Sequence, residues 1–154
     1  MGARDWIFMM EQMQHIHLFA RRNIRRKRRK EPLSAETLDI LSRVALAEGT
    51  VTPALLSRQT GLTKPMISKL IEQLHEKGYL SKAKDEKDKR SYFLRITPDG
   101  HKELESTYQY YLEPVYEIRR NLGSERFLQL MELIREANEE GGAGCKKGDK
   151  HEIL

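Results

Sequence analysis

The amino-acid sequence predicts a mainly α-helical, α+β protein. Apolar residues recur at helical spacing along most of the chain, and they alternate with polar residues in one short stretch, from Ser91 to Ile96. This stretch and a second short strand, from Tyr79 to Ala83, flank the charged segment from Lys84 to Arg90. Because that segment is too charged to be buried, the strands are predicted to form a hairpin whose tip projects into water or onto a phosphate backbone.

The helix before this hairpin begins after Thr63, whose hydroxyl can cap the first turn, and ends before Gly78. Its buried face is predicted from apolar residues at i, i+3, i+4 and i+7 spacing: Ile67, Leu70, Ile71 and Leu74. The opposite face is mostly polar, as in many surface helices. The charged hairpin that follows favours a winged helix-turn-helix, with one element for the major groove of DNA and one for the backbone or minor groove.

Two further helices precede this unit. Ser34 is predicted to cap a core helix that runs to Gly49, and Thr52 is predicted to cap a short helix that Gly61 closes. Only Gly61 and Leu62 separate the short helix from the next one, so the two helices must cross sharply, as they do in a helix-turn-helix.

The N-terminal segment predicts one long helix, from Asp5 to about Arg22. Its apolar positions recur at helical spacing: Trp6, Met9, Met10, Met13, Ile16 and Ala20. Methionine fills irregular or adaptable interfaces, so this stripe is suited to packing against another helix or to contact with a hydrophobic ligand.

Another long helix is predicted after the hairpin, with Thr97 as its cap and Pro98 at its first position. Its apolar positions are spaced alternately by four and three residues: Leu104, Tyr108, Tyr111, Val115, Ile118 and Leu122. This heptad seam indicates helix–helix packing. Pro114 is expected to kink the helix near its middle.

A last amphipathic helix follows Gly123 and Ser124. Its apolar stripe is formed by five residues: Phe127, Leu128, Met131, Ile134 and Ala137. The partner of this stripe is the first helix, the heptad helix, or their copies in a second chain.

The composition of the whole chain limits the function classes. A formal net charge of +5 and a pI of about 9.3 favour an anionic partner. No apolar run approaches the roughly 20 residues that span a bilayer, and the N-terminus lacks a signal layout, so we expect a cytoplasmic protein without a membrane partner. The single cysteine, Cys145, excludes an intramolecular disulfide. We find no nucleophile with a base, no paired carboxylates and no phosphate loop, so the sequence predicts neither an enzyme nor a cofactor.

The segment from Arg21 to Lys30 is strongly basic, with eight basic residues among ten. Like charges at helical spacing weaken an isolated helix, so either phosphate contacts offset this repulsion or the segment is a solvated charge run. A membrane-surface role fits less well, because bulky apolar residues are not interleaved through the run, in which Ile24 stands alone.

Three motifs resemble the MarR (multiple antibiotic resistance regulator) family of transcription factors. They are Leu74 to Leu80 (LHEKGYL), Asp88 to Arg90 (DKR) and Ile96 to Gly100 (ITPDG), in this order and spacing. The resemblance covers about residues 33–139. It implies a two-fold dimer formed by the terminal helices, a recognition helix from Thr63 to Lys77, and a wing arginine, Arg90, that reaches the minor groove while Asp88 orients it or a neighbouring basic residue.

The residue patterns and the resemblance together predict four segments. These are an N-terminal dimerisation helix with the basic run (1–30), a winged helix-turn-helix domain (31–97), C-terminal dimerisation helices (98–140) and a disordered tail (141–154). The dimerisation residues are expected to be Trp6, Met9, Met13, Tyr108, Tyr111, Val115, Ile118, Phe127, Met131 and Ile134.

The candidate DNA-binding residues lie on the recognition helix and the wing. They are Thr63, Lys64, Pro65, Met66, Ser68, Lys69, Gln73, Lys84, Lys87, Asp88, Lys89 and Arg90. Arginine suits a narrow, electronegative minor groove, and the lysines suit the backbone. Pro65 stands where the family commonly has a small hydroxyl residue, so one donor is missing from the reading helix.

The leading prediction is a homodimeric, sequence-specific regulator of transcription, a repressor, that binds a palindromic operator in double-stranded DNA. The family also implies release by a small anionic or aromatic effector, bound between the terminal helices and the winged unit. The alternative is a non-specific architectural protein that uses its basic segments on any duplex. We expect no metal site, because His15 and His17 point to different faces of a helix.

Overall fold

The computed structural model describes residues 5–24 and 33–142. The elements in chain order are α1 (Asp5–Phe19, continued by a π-helical segment, Ala20–Ile24), α2 (Ala35–Leu46), α3 (Pro53–Thr60), α4 (Lys64–Glu76), β1 (Leu80–Lys84), β2 (Tyr92–Ile96), α5 (Pro98–Tyr111), α6 (Glu113–Leu122) and α7 (Ser124–Gly142). The part of the basic run beyond Ile24, and Cys145, lie outside the described residues. The chain forms two compact units, Met1–Pro114 and Val115–Leu154.

The core of the first unit is built around α4. Its predicted buried face is confirmed, because all four of its apolar residues are buried. They pack with apolar residues of α2, α3 and the hairpin, chiefly Leu38, Ile40, Leu41, Leu56, Leu80 and Leu94. Burying one such side chain stabilises the fold by about 1.5–3 kcal/mol, so this cluster fixes how α4 is rotated about its own axis.

The helix starts follow their caps as predicted. Each of Ser34, Thr52 and Thr63 has extended backbone, and each accepts a hydrogen bond through its side-chain oxygen from the backbone amide three residues later. Gly61 closes α3 with a φ of 72°, a left-handed conformation that costs glycine little. The Ser57 hydroxyl donates to the Leu62 carbonyl at 2.7 Å, which holds the turn between α3 and α4.

The predicted hairpin is confirmed, with bounds that differ by one residue. β1 pairs with β2 in antiparallel fashion, and the register runs from Leu80 opposite Ile96 to Lys84 opposite Tyr92. A bridge that the sequence analysis missed joins Val51 to Leu94, with a backbone hydrogen bond of 2.9 Å. The segment before α3 is therefore fastened to the hairpin.

The connection between the hairpin and α5 depends on Thr97. Its hydroxyl donates to the Gly78 carbonyl at 2.6 Å and accepts from the Gly100 amide at 3.0 Å, which confirms it as the cap. The Thr97 amide also donates to the Tyr79 carbonyl at 3.1 Å. The start of α5 is therefore joined to the residues that end the recognition helix.

The prediction of one kinked helix after Thr97 is wrong. The helix ends at Tyr111, and α6 begins at Glu113. Pro114 has no N–H to donate, and its ring clashes with the carbonyl of the preceding turn, so the chain restarts rather than bends. The heptad seam is therefore interrupted, and Leu104 and Tyr111 pack against the core of their own chain.

Two other helix ends differ from the prediction. α2 ends at Leu46 rather than Gly49, because Ala47 already has extended backbone. α7 continues to Gly142, so the first two residues of the predicted tail are helical, and the rest of the tail lies outside the described residues.

The predicted dimerisation residues differ in exposure. On α1, Trp6 is 65% exposed, and its neighbours on every side of the helix are apolar and exposed as well. In the second unit, Ile118 is buried, Phe127 and Met131 are partly buried, and Val115 and Ile134 are exposed. The side chain of Tyr108 lies outside the described part of the structure.

We predict that Gly100→Ala destabilises the protein. A Cβ at residue 100 would lie 2.8 Å from Ile96 Cγ1 and closer still to the Tyr79 carbonyl oxygen, which is backbone and cannot move aside cheaply. Overpacking of this kind costs about 1–3 kcal/mol, which exceeds the roughly 1 kcal/mol that alanine gains over glycine in a helix. Urea denaturation should show a lower free energy of unfolding.

Gly49→Ala is the matched control, because a Cβ there meets nothing within 4 Å. The control variant should stay within about 0.5 kcal/mol of the wild type. Equal stability of the two variants would contradict the close approach at Gly100.

Candidate nucleic-acid interface

The outer side of α4 carries all the predicted contact residues of the recognition helix. The structure leaves all of these predicted residues exposed: Thr63, Lys64, Pro65, Met66, Ser68, Lys69 and Gln73. Because the opposite face of α4 is locked into the core, this outer surface has a defined orientation. The residues are therefore placed as a DNA-reading surface requires, and their contacts with DNA stay a prediction.

The N-terminus of α4 lies at this surface. Thr63 Oγ1 accepts from the Met66 amide at 3.4 Å. Pro65 lies in the first turn, where a backbone N–H would have no carbonyl partner within the helix, so its missing N–H costs no hydrogen bond. The positive end of the helix dipole and the exposed Lys64 both favour an anion here.

The tip of the wing is shaped by two aspartates. Asp85 Oδ1 accepts from the Lys87 amide at 2.9 Å, and Asp88 Oδ1 accepts from the Arg90 amide at 3.0 Å. The Asp88 carbonyl accepts from the Ser91 amide at 3.0 Å. In each case the aspartate side chain accepts from the backbone amide two residues later, as in an Asx-turn. Asp88 therefore holds the backbone of Arg90.

The basic side chains of the wing point away from the core. Lys84, Lys87, Lys89 and Arg90 are all exposed, as predicted for residues that meet a phosphate backbone or a groove. Hydrogen bonds within the turn hold the backbone beneath them, so the positive charge of the tip is presented from a defined loop.

The recognition helix and the wing meet in a groove of about 320 Å³. Its lining consists of Thr52, Pro53, Ala54, Lys64, Ile67, Ser68, Arg90, Ser91 and Tyr92. Lys64 and Ser68 of α4 thus lie beside Arg90 of the wing. Residues of α4 and of the wing that are predicted to contact DNA therefore line one cationic surface.

Several residues of this groove were not predicted from the sequence. Thr52 and Ala54 come from the start of α3, and Ser91 and Tyr92 come from the end of the wing. The start of α3 was recognisable from its cap, but its position beside the wing depends on the bridge between Val51 and Leu94. The other predicted contacts on α4 and the wing, such as Lys69, lie outside this groove.

An ion pair couples the hairpin to the recognition helix. Lys82 Nζ donates to Glu72 Oε2 at 2.6 Å and lies 5.3 Å from the centre of the Tyr92 ring. The hydrogen bond and the charge of Lys82 lower the pKa of Glu72 below its usual value, and the same bond raises the pKa of Lys82. The charge of Glu72, on the outer face of α4, is therefore neutralised by Lys82, which limits its repulsion of phosphate.

Two other site classes find no support among the described residues. Within residues 5–24 and 33–142, no three histidine, cysteine, aspartate or glutamate side chains come together as metal ligands. His75, on α4, instead bonds the Leu80 carbonyl through Nδ1 at 3.1 Å. No helix in the described part of the chain is long and apolar enough to cross a membrane.

The fold and this groove define a winged helix-turn-helix protein. Residues 32–91, which span α2 to the wing, match the model of the MarR family. The family is one of transcriptional regulators, which confirms the prediction that the chain is not an enzyme. No curated protein sequence matches the chain.

Solved structures share the fold at low sequence identity. Sco3205, a MarR family regulator from Streptomyces coelicolor in complex with DNA, is 18% identical with a TM-score of 0.73, over 91% of this chain and 92% of that one. Mutant MarR from E. coli, complexed with operator DNA, is 16% identical with a TM-score of 0.66, over 89% and 99%. BpsR from Bordetella bronchiseptica, whose DNA binding is regulated by 6-hydroxynicotinic acid, is 16% identical with a TM-score of 0.63, over 90% and 97%.

We predict that Asp88→Ala loosens the wing and that Asp88→Asn does not. Both variants remove the charge, but only asparagine keeps an oxygen that can accept from the Arg90 amide. Losing one such hydrogen bond costs about 1 kcal/mol, so the Arg90 amide proton of the alanine variant should exchange about fivefold faster by NMR. Equal exchange in the two variants would show that the Asp88 side chain does not shape the turn.

Proposed function

We propose that this protein is a DNA-binding transcriptional regulator that inserts α4 into the major groove and places Arg90 of the wing in the adjacent minor groove. The observation that carries the proposal is the groove where Lys64, Ser68 and Arg90 line one surface, between an exposed helix N-terminus and the wing. A helix fits the major groove of B-DNA, and arginine favours a narrow minor groove. The family match and the fold shared with DNA-bound relatives support the same function.

We propose that the protein acts as a homodimer on a palindromic operator. Its N-terminal helix is the observation in favour, because α1 exposes large apolar side chains on all its sides, among them Trp6, Ile7, Phe8 and Met9. The first turns of α1 are apolar on all sides, and such a surface is normally buried, so we expect a second chain to cover it. Two recognition helices related by a two-fold axis then read half-sites about 34 Å apart.

We propose that the protein is a repressor that a small-molecule effector releases from DNA in the cytoplasm. The support comes from likeness to BpsR, whose DNA binding a small aromatic acid regulates. A thermal-shift screen of aromatic acids, followed by DNA binding in their presence, tests this step. An effector should raise the melting temperature and weaken binding to the operator.

We predict that Arg90→Ala weakens operator binding about tenfold or more, because the variant loses one or two charge-assisted hydrogen bonds to DNA. Its thermal stability should not change. Arg95→Ala is the matched control, since Arg95 is an exposed arginine of the same hairpin that lies away from the groove. Fluorescence anisotropy on an operator selected from random duplexes measures both. Equal affinity of the two variants would contradict the role of Arg90 in the wing.

Competition with random DNA separates this proposal from the architectural alternative. A specific regulator holds its operator against a large excess of random duplex, commonly by a factor of about 10³ or more. An architectural protein would lose its selected duplex at comparable concentrations of competitor.

We predict that Met9→Lys combined with Met13→Lys dissociates the dimer. The two side chains are apolar and exposed on α1, and a pair of buried charges at an interface is strongly unfavourable. Light scattering should report half the wild-type mass. Gln14→Lys together with His15→Lys, two exposed polar positions of the same helix, should dissociate the protein much less. A monomeric mass for the wild-type protein would contradict the proposed homodimer.

A further inference from the structure

The first turn of α4, Lys64 to Ile67, offers almost no hydrogen bonds to a DNA base. Ile67 is buried, Pro65 and Met66 are apolar, and Lys64 is a cation suited to phosphate. Thr63, the cap before this turn, already accepts from the Met66 amide through its oxygen, so it is chiefly its O–H that remains for another partner. Of the uncharged side chains of this turn, none can donate to a base edge, and the sulfur of Met66 is only a weak acceptor.

Met66 is also unusual in its exposure. Among the described residues from 33 to 97, the large hydrophobic side chains that are exposed are Leu46, at 80%, and Met66, at 44%. Leu46 is the last residue of α2 and does not line the groove. Met66 lies at the N-terminal end of the reading helix, the end that contacts base edges in a helix-turn-helix. Its thioether side chain is flexible and adapts to an irregular apolar surface.

Met66 belongs to a stripe along the outer edge of α4. Residues at i, i+3 and i+7 share one side of a helix, so Met66, Lys69 and Gln73 follow one another along it. The stripe begins with an apolar group and continues with two hydrogen-bonding groups. Polar readout is therefore displaced toward the middle of the helix, and the N-terminal end is left with an apolar contact.

The major groove presents one apolar feature that such a contact can recognise, the 5-methyl group of thymine. We propose that Met66, with Pro65 beside it, selects operators that place a thymine methyl group against the first turn of α4. The inference rests on the proposed function, and it identifies a feature of the operator that the family match leaves open. Phosphate is the wrong partner for these two side chains, because neither carries a donor or a charge.

Replacing thymine by uracil tests the inference, because uracil lacks only the methyl group. The full-length protein selects an operator from random duplexes, and each thymine of one half-site is then replaced singly by uracil. At one or two positions the wild type should lose affinity about fourfold per methyl group, the value of burying one such group. Met66→Ala should bind the thymine and uracil duplexes equally.

Two controls make the outcome specific. Leu46→Ala removes the other exposed hydrophobic side chain and should keep the wild-type preference for thymine. Met66→Leu should keep part of the preference, because leucine remains apolar and of similar size. Thermal stability of each variant is measured alongside, and it should not change because these side chains are exposed.

The possible failures are distinct. If no duplex is enriched, the proposed function fails and this inference fails with it. If an operator is enriched but uracil binds as tightly as thymine at every position, or if Met66→Ala keeps the discrimination, the function stands and the role of Met66 is overturned.

Discussion

The burial of one face of α4 is the constraint on which the rest of the structure depends. Ile67, Leu70, Ile71 and Leu74 are all held in the core, and each re-exposed side chain would cost about 1.5–3 kcal/mol. Rotating the helix by a single residue would expose several of them at once. The same four contacts therefore determine which side chains face outward, and the reading surface is defined by the core beneath it.

The wing depends on a smaller and more directional set of contacts. Its base is held by the β1–β2 ladder, by burial of Leu94 and by the bridge to Val51, whereas its tip is held by Asp85 and Asp88. The pair between Lys82 and Glu72 is exposed, and such pairs contribute little stability. Its effect is electrostatic, because it neutralises a carboxylate on the face that would meet DNA.

Local interactions made much of the fold predictable. Thr63 as cap, Gly78 as terminator and apolar spacing between them located α4 to within a residue, because caps and helical periodicity act over a few neighbours. The bridge at Val51 was not predictable, since one residue of pairing leaves no periodic signal. Tyr92 was missed as part of the groove because its place beside α4 arises only from tertiary packing.

The heptad spacing did not identify the packing partner of Tyr111 for a related reason. Such spacing indicates an apolar stripe, but it does not indicate what covers that stripe. Tyr111 was expected at a dimer seam, but it packs against the core of its own chain, where burial, with the charge of Asp39, raises its pKa. α5 is thus held at both ends, by Thr97 and Gly100 at its start and by Tyr111 at its finish. A helix tied in this way belongs with the reading unit, so we place the end of that unit at Pro114 rather than before α5. The first compact unit also ends at this proline, which cannot continue the hydrogen bonding of the helix before it.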